Sequence, residues 1–171
     1  AKIALVVDEV AVDGAPIPSP PPIHNGDLKE WVHRLETQYA NQLIVVLVAG
    51  DNFPLLRAFS SSKEFDALLS DPPYNTGNRN VYRYSDRNED SVWQRGLALR
   101  LEAAKGALRE DGVVGLHIDD NSTHQLRAVM DCVFGPGGHL GTLVWRKKVV
   151  RGRGARYLLP HTEYVHFYGN S

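Results

Sequence analysis

Phe65-Asp66-Ala67-Leu68-Leu69-Ser70-Asp71-Pro72-Pro73-Tyr74-Asn75-Thr76-Gly77 is the stretch on which the reading of the fold turns. Its first six residues form a short apolar run that reads as a buried strand. The chain then becomes polar and stiff. A carboxylate, two prolines and an aromatic ring at the carboxyl end of a strand stand where open α/β sheets put their ligands. Each proline fixes φ, and Pro73 also drives Pro72 towards an extended conformation. Neither proline has an N–H, so the main chain can only accept hydrogen bonds there. Such an array suits a planar group with an exocyclic amine: its N–H bonds go to Asp71 and a proline carbonyl while Tyr74 stacks on its face. A proline-stiffened turn after a strand is the plainer alternative, and Pro-Pro alone supports no more than that.

Working outward, residues 2–7 read as a short strand. Residues 11–26 hold Pro16, Pro18, Pro20, Pro21 and Pro22, half of all the prolines, with Gly14 and Gly26, a composition that predicts an extended linker. Asp27 caps a helix over residues 28–40, with Trp31, Leu35 and Tyr39 on one face. The continuous β-branched run of residues 43–48 predicts a buried strand, and Pro54-Leu55-Leu56 opens a short helix. Residues 78–90 are polar and read as a long surface loop. A helix capped by Ser91 extends to about Arg109, with Trp93, Leu97, Leu101 and Leu108 at helical spacing. A strand over 112–118 and a helix to Phe134 follow, then two strands over 140–145 and 163–168 with no helix between them, hence antiparallel. Alternating strands and helices followed by a strand pair predict an α/β sheet, mostly parallel with one antiparallel strand.

With 171 residues the chain is about one domain and long enough for a sizeable core. Its 19 Lys and Arg against 20 Asp and Glu leave a net charge of −1, which argues against a uniformly basic nucleic-acid binder. Local charge differs. Arg146, Lys147, Lys148, Arg151, Arg153 and Arg156 fall between Trp145 and Tyr157 with no acid among them, and Gly152 and Gly154 loosen that stretch. The single cysteine, Cys132, excludes an internal disulfide, argues against structural zinc, and lies among apolar residues that predict a buried thiol. His117, His124, His139, His161 and His166 have no ligand-like spacing and read as surface or satisfied core residues, so no metal site is expected. The opening residues are too short for a signal peptide or a membrane span, and a cytoplasmic location is the default expectation.

Asp71 to Asn78 resembles the catalytic motif of amino-methylating DNA methyltransferases, in the form carried by adenine-N6 enzymes of the type III restriction-modification class. Further landmarks of those modification subunits look present at Trp93, Arg100-Leu101, Gly112-Val113, Ile118-Asp119-Asp120-Asn121, Met130-Asp131, Phe134-Gly135, Trp145 and Glu163-Tyr164, so the resemblance covers about residues 41–168. It implies a partial class I S-adenosylmethionine-dependent methyltransferase fold, a Rossmann-like α/β sheet. It also implies methyl transfer from S-adenosylmethionine to N6 of an adenine flipped out of double-stranded DNA, within a restriction-modification system.

By that resemblance Asp71 and the Pro72 carbonyl accept the N6 hydrogens, Pro73 stiffens the loop and Tyr74 stacks on the base. Asn75 orients the loop or the base, or simply forms the turn. Flipping costs a few kcal/mol, and stacking on an aromatic returns about 1–3 kcal/mol. Asp51 and Phe53 resemble the contact to the cofactor's adenine, with Asp71 also on the cofactor side; alternatively Asp51 caps the helix after it. Asp119 lines or braces the pocket, and Asp120 caps the following helix. Asn78 joins Tyr74 and Asp119 as a substrate contact. Arg146, Lys147, Lys148, Arg151 and Arg153 serve as phosphate contacts that position the duplex, or form a solvated basic loop.

One part of the family pattern is absent. A glycine turn of the Phe-x-Gly-x-Gly kind occurs nowhere in the sequence, and Gly135-Pro136-Gly137-Gly138 follows a helix and reads as its stop. In the motif order that the chain resembles, the glycine turn lies downstream of a target-recognition region. Residues 1–26 are therefore expected to be an N-terminal strand and linker, and 27–171 the catalytic half of a methyltransferase domain. A fragment, a split protein and a remnant all fit that expectation. A second chain would then supply the glycine turn, and the resemblance adds a homodimer and a restriction subunit as partners. The strand before Asp71 is left with an open edge, which the strand at Ile3–Val7 is a candidate to fill. The competing functions are a non-catalytic DNA-binding or assembly remnant, and amino methylation of cytosine N4, RNA or a protein glutamine. Asp71 together with Tyr74 favours adenine.

Overall fold

The computed structural model describes residues 3–4, 6–12, 15–17, 27–40, 44–48, 51–75, 89–147 and 162–170. Eight strands and four helices lie among them: β1 (Ile3–Ala4), β2 (Val6–Val12), β3 (Ala15–Ile17), α1 (Asp27–Gln38), β4 (Ile44–Val48), α2 (Asn52–Phe59), β5 (Phe65–Ser70), α3 (Asp90–Ala107), β6 (Leu108–Asp119), α4 (Thr123–Phe134), β7 (His139–Arg146) and β8 (Thr162–Gly169).

They form two four-stranded sheets, ordered β1-β4-β2-β3 and β5-β6-β8-β7. In the first, β2 and β3 make an antiparallel pair with Val10 opposite Ile17. Residues 11–12 and 15–17, expected in the linker, are thus ladder residues: β-branched Val10, Val12 and Ile17 favour a pleated surface, and prolines concentrate only from residue 18 onward. The strand at the N-terminus does not fill the edge beside β5. Ile3 pairs with Val45 and Ala4 with Val46, so β1 extends the sheet built on β4.

The second sheet carries the loop. Its parallel ladder joins β5 to β6, with Ser70 opposite Leu116. The β6–β8 and β8–β7 ladders are antiparallel. The fold class is α/β with a mixed sheet, as expected, and antiparallel pairing takes a larger share than the pattern of the residues suggested. β8 lies between β6 and β7, which gives two antiparallel ladders instead of one.

One face of this sheet is closed by helices. Trp93, Leu97 and Leu101 recur every four residues along α3 and meet Val114, Leu116 and Ile118, alternate residues of β6. Leu126, Met130 and Phe134 of α4 complete the cluster, with Leu126 and Met130 fully buried. Burying each such side chain stabilises the fold by about 1.5–3 kcal/mol. Cys132 is exposed rather than buried: it falls outside the 126–130–134 stripe of α4. The glycine-rich run behaves as a helix stop, with Gly135 at φ 83° directly after Phe134.

α3 ends against α2. Gly106 lies so close to the chain at Ser60 that a Cβ there would stand 1.8 Å from the Ser60 carbonyl oxygen. The N–H groups of Lys63 and Glu64 then donate to the carbonyls of Gly106 and Ala107, capping the last turn. This packing fixes where β5 begins and therefore where the loop after it lies.

Candidate active site

Because β5 and β6 run parallel in register, their carboxyl ends finish side by side, and Asp71 lies next to His117. The Asp71 Oδ1 to His117 Nδ1 distance is 3.2 Å. On the other side β8 runs antiparallel, with Asp119 opposite Glu163 and His117 opposite Val165. Residues two apart on a strand share a face, so Glu163 reaches His117 diagonally, with its Oε2 3.1 Å from Nε2. The second oxygen of Glu163 pairs with Lys147 Nζ just past the end of β7.

The loop is held from behind by both helices. The Trp93 indole Nε1–H donates to the Pro73 carbonyl at 2.7 Å. The Ser122 hydroxyl donates to the Tyr74 carbonyl at 2.6 Å. Asn75 takes the left-handed conformation, φ 57°, which asparagine tolerates better than most residues. Its amide donates to Asp90 Oδ1, and Asp90 Oδ2 accepts from Gln125. Asp90 at the start of α3 therefore ties the loop to α4. The Pro73 carbonyl is taken by Trp93, whereas no side chain among the described residues donates to the Pro72 carbonyl.

Asp119 lies at the carboxyl end of β6 and is buried. Its Oδ1 accepts from the backbone N–H groups of Asn121 and Ser122, and its Oδ2 from the Asn121 side chain at 2.6 Å. It shapes the turn that aims Ser122 at Tyr74. Asp120 does not cap α4: its carboxylate accepts from the Tyr164 hydroxyl at 2.9 Å, and the N-cap position falls to Ser122. The turn at 119–121 carries the chain one residue past Asp120 before helical geometry starts.

At the end of β4, Asp51 is the N-cap of α2, accepting from Phe53 N–H at 2.9 Å. The same Oδ1 takes Arg100 Nη2 at 2.9 Å, and the Arg100 guanidinium lies 5.5 Å over the Phe53 ring. The Phe53 N–H first, and Arg100 second, hold the Asp51 carboxyl below its ordinary value of 3.8. The capping alternative thus describes the local structure. It leaves Asp51 Oδ2, on a side chain that is 61% exposed, without a donor among the described residues.

Tyr74 packs partly against the core and meets His117 edge-on, with ring centroids 5.6 Å apart, while its hydroxyl is 2.7 Å from His117 Nδ1. His117 is the residue that spacing missed. Its one available signal is the strand parity that puts it two positions before Asp119, at the end of the strand parallel to β5. Arg146 is exposed at the end of β7, and Lys147 is engaged by Glu163. Asn78, Lys148, Arg151, Arg153 and His161 lie outside the described residues. Among the described residues there is no cluster of potential metal ligands, and no helix is long and apolar enough to cross a membrane.

Residues 65–171 match the sequence pattern of a family described as DNA methylase. The chain is similar to the type II methyltransferase M.KpnI of Klebsiella pneumoniae, at 33% identity over 132 residues, covering 71% of this chain and 31% of that protein. It is also similar to a probable type III restriction-modification enzyme HindVI Mod subunit of Haemophilus influenzae, at 29% identity, covering 74% of this chain and 17% of the relative. A Salmonella typhimurium type III StyLTI Mod subunit is 28% identical over 60% of this chain and 20% of its own length. The chain therefore spans less than a third of the length of these relatives. Among solved structures, the cytosine-N4-specific PvuII DNA methyltransferase superposes with a TM-score of 0.53 at 11% identity, over 71% of this chain and 48% of that one. That likeness concerns the fold.

Proposed function

The chain belongs to the DNA methylase family, and on that premise we propose that it forms the catalytic half of a methyltransferase acting on N6 of adenine in duplex DNA, with S-adenosylmethionine as methyl donor. The observation that carries this reading is the loop at Asp71–Tyr74, braced by Trp93 and Ser122 at the carboxyl end of β5. Asp71 and the Pro72 carbonyl are neighbouring acceptors in the chain, which suits two hydrogens on one amine nitrogen. Two such bonds draw the nitrogen towards tetrahedral geometry and localise its lone pair. The Tyr74 ring supplies a stacking face for a base out of its helix. No strong base is required, so positioning is the main contribution of these side chains.

For the donor, Asp51 Oδ2 is an open acceptor suited to an exocyclic amine, and Phe53 lies beside it, so the residues fit the adenine end of such a cofactor. When bound, S-adenosylmethionine supplies an electrophilic methyl group on a sulfonium. Arg100 keeps Asp51 ionised and oriented for that contact. The sequence contains no glycine turn to hold the rest of the cofactor, and we assign that role to a further segment or a second chain. Arg146 and the basic residues after it position the phosphate backbone. The Mod names of the relatives favour a place in a restriction-modification system beside a restriction subunit.

A specific observation favours a second reading: without the glycine turn, the chain would serve as a non-catalytic DNA-binding or assembly unit. Titration calorimetry with S-adenosylmethionine separates the two. Heat of binding that is lost in Asp51→Ala supports the catalytic half. No binding by the folded wild-type chain even when it is supplemented with the segment that carries the glycine turn supports the assembly unit.

A further inference from the structure

We propose that His117 is a positioning residue for Asp71 and Tyr74, itself oriented by Glu163 and Lys147. This inference rests on the reading of the Asp71–Tyr74 loop as the amine-accepting site and assigns that site a support that its motif does not contain.

The ionised Glu163 carboxylate only accepts, so the His117 Nε2 that faces Glu163 Oε2 at 3.1 Å carries the hydrogen. Lys147 pairs with the other oxygen of Glu163 and holds the carboxylate in place. The Glu163 side chain is only 16% exposed, so its contact with His117 meets little competition from water. With Nε2 protonated, Nδ1 of the neutral ring is an acceptor and takes the Tyr74 O–H at 2.7 Å. Asp71 Oδ1, at 3.2 Å from the same Nδ1, then faces a lone pair and has no hydrogen to accept from it. Only a second proton on the ring would let Nδ1–H donate to Asp71. In the neutral ring His117 therefore anchors Tyr74 and leaves the Asp71 carboxylate without a donor at that nitrogen, the arrangement an incoming amine needs. Among the described residues, the charged and titratable groups facing the ring are Asp71 and Tyr74 from the loop, Glu163 from β8 and, through Glu163, Lys147 after β7.

The strand geometry fits a ring held rigidly. Gly115, two residues earlier on the same face of β6, leaves room for Phe167 and Leu69: a Cβ there would be 2.7 Å from Phe167 Cε1 and 2.8 Å from Leu69 Cδ2. The strands pack tightly just before His117, so the ring starts from a fixed backbone.

The test uses the full chain labelled with [15N]histidine and ring-labelled tyrosine. The His117 signal is assigned by its loss in His117→Asn, and Tyr74 by its loss in Tyr74→Phe. We expect Nε2 of His117 to be protonated, and the Tyr74 ring resonance to move in Glu163→Ala but to stay near the wild-type position in Glu163→Gln. Protonation at Nδ1 alone, or a Tyr74 signal that is the same in wild type, Glu163→Ala and His117→Ala, would overturn the proposal. This readout stands even if the chain alone transfers no methyl group. Where transfer is measured, His117→Ala should lower kcat about tenfold to a hundredfold, the scale of a small misplacement, with KM for DNA little changed. His117→Asn, whose amide replaces Nδ1, should retain more of kcat than His117→Gln, whose amide replaces Nε2. The reverse order would contradict the assignment.

Discussion

The indole N–H of Trp93 donates to the carbonyl oxygen of Pro73 at 2.7 Å. This bond decides which proline carbonyl of the loop remains for a ligand, and it links the loop to the buried stripe of α3. In Trp93→Phe the Pro73 carbonyl loses its donor. Unfolding by urea should show a loss of about 1–3 kcal/mol, the cost of an unpaired, partly buried acceptor, and methyl transfer should fall through kcat. An unchanged midpoint together with unchanged kcat would show that the loop holds its shape without α3.

Asp51 has two partners on one oxygen, the Phe53 N–H and Arg100. Asp51→Ala should destabilise the chain by about 0.5–2 kcal/mol through the lost cap. Because the pair with Arg100 is largely exposed, its coupling in a double-mutant cycle with Arg100→Ala should be only about 0.2–1 kcal/mol. A much larger coupling would mean that Arg100, and not the cap, holds the start of α2.

Gly106 of α3 packs directly against the backbone of Ser60 in the turn after α2. A Cβ 1.8 Å from the Ser60 carbonyl oxygen cannot be accommodated without moving backbone. Gly106→Ala should therefore cost at least about 1–3 kcal/mol, as overpacking does, despite the better helix propensity of alanine. Thermal melts that show no loss would place the two segments farther apart.

Burial, with Arg127 second, lowers the basicity of His166 from its ordinary value of 6.5. The neutral ring meets Thr123 Oγ1 at 2.8 Å and Thr142 Oγ1 at 2.9 Å. With a lower value in the folded chain than in the unfolded one, the unfolded state takes up the proton first as pH falls. The contribution to stability is therefore complete above about pH 6.5 and is lost as pH drops through the lower, folded value. Urea titrations from pH 8 to pH 5 should show this decline, and His166→Gln should remove part of it. An identical pH slope in the variant would exclude His166 as its source.

Much of this site was legible in the residues themselves. Asp71-Pro72-Pro73-Tyr74 announces a stiff loop at the end of a strand because proline leaves few backbone options, and Trp93, Leu97 and Leu101 announce their helix by spacing. His117 was hidden because its role depends on three strands meeting in register, with partners 46 residues before it and another 46 after it, which no local pattern carries. Cys132 misled for a related reason: apolar neighbours in sequence lie on a different side of α4. The pairing of β1 with β4 was equally non-local, since a short β-branched strand fits any open edge until the competing strands are placed.

The most direct measurement of the central claim is transfer of labelled methyl from S-adenosylmethionine to duplex DNA by the wild-type chain and by Asp71→Ala, supplemented where necessary with the segment that supplies the glycine turn, followed by nucleoside analysis of the product. Label is expected in N6-methyladenine with wild type and is lost in Asp71→Ala, while the variant keeps its fold and its heat of cofactor binding falls less than in Asp51→Ala. Wild-type transfer by Asp71→Ala, or label appearing in cytosine, would contradict that claim.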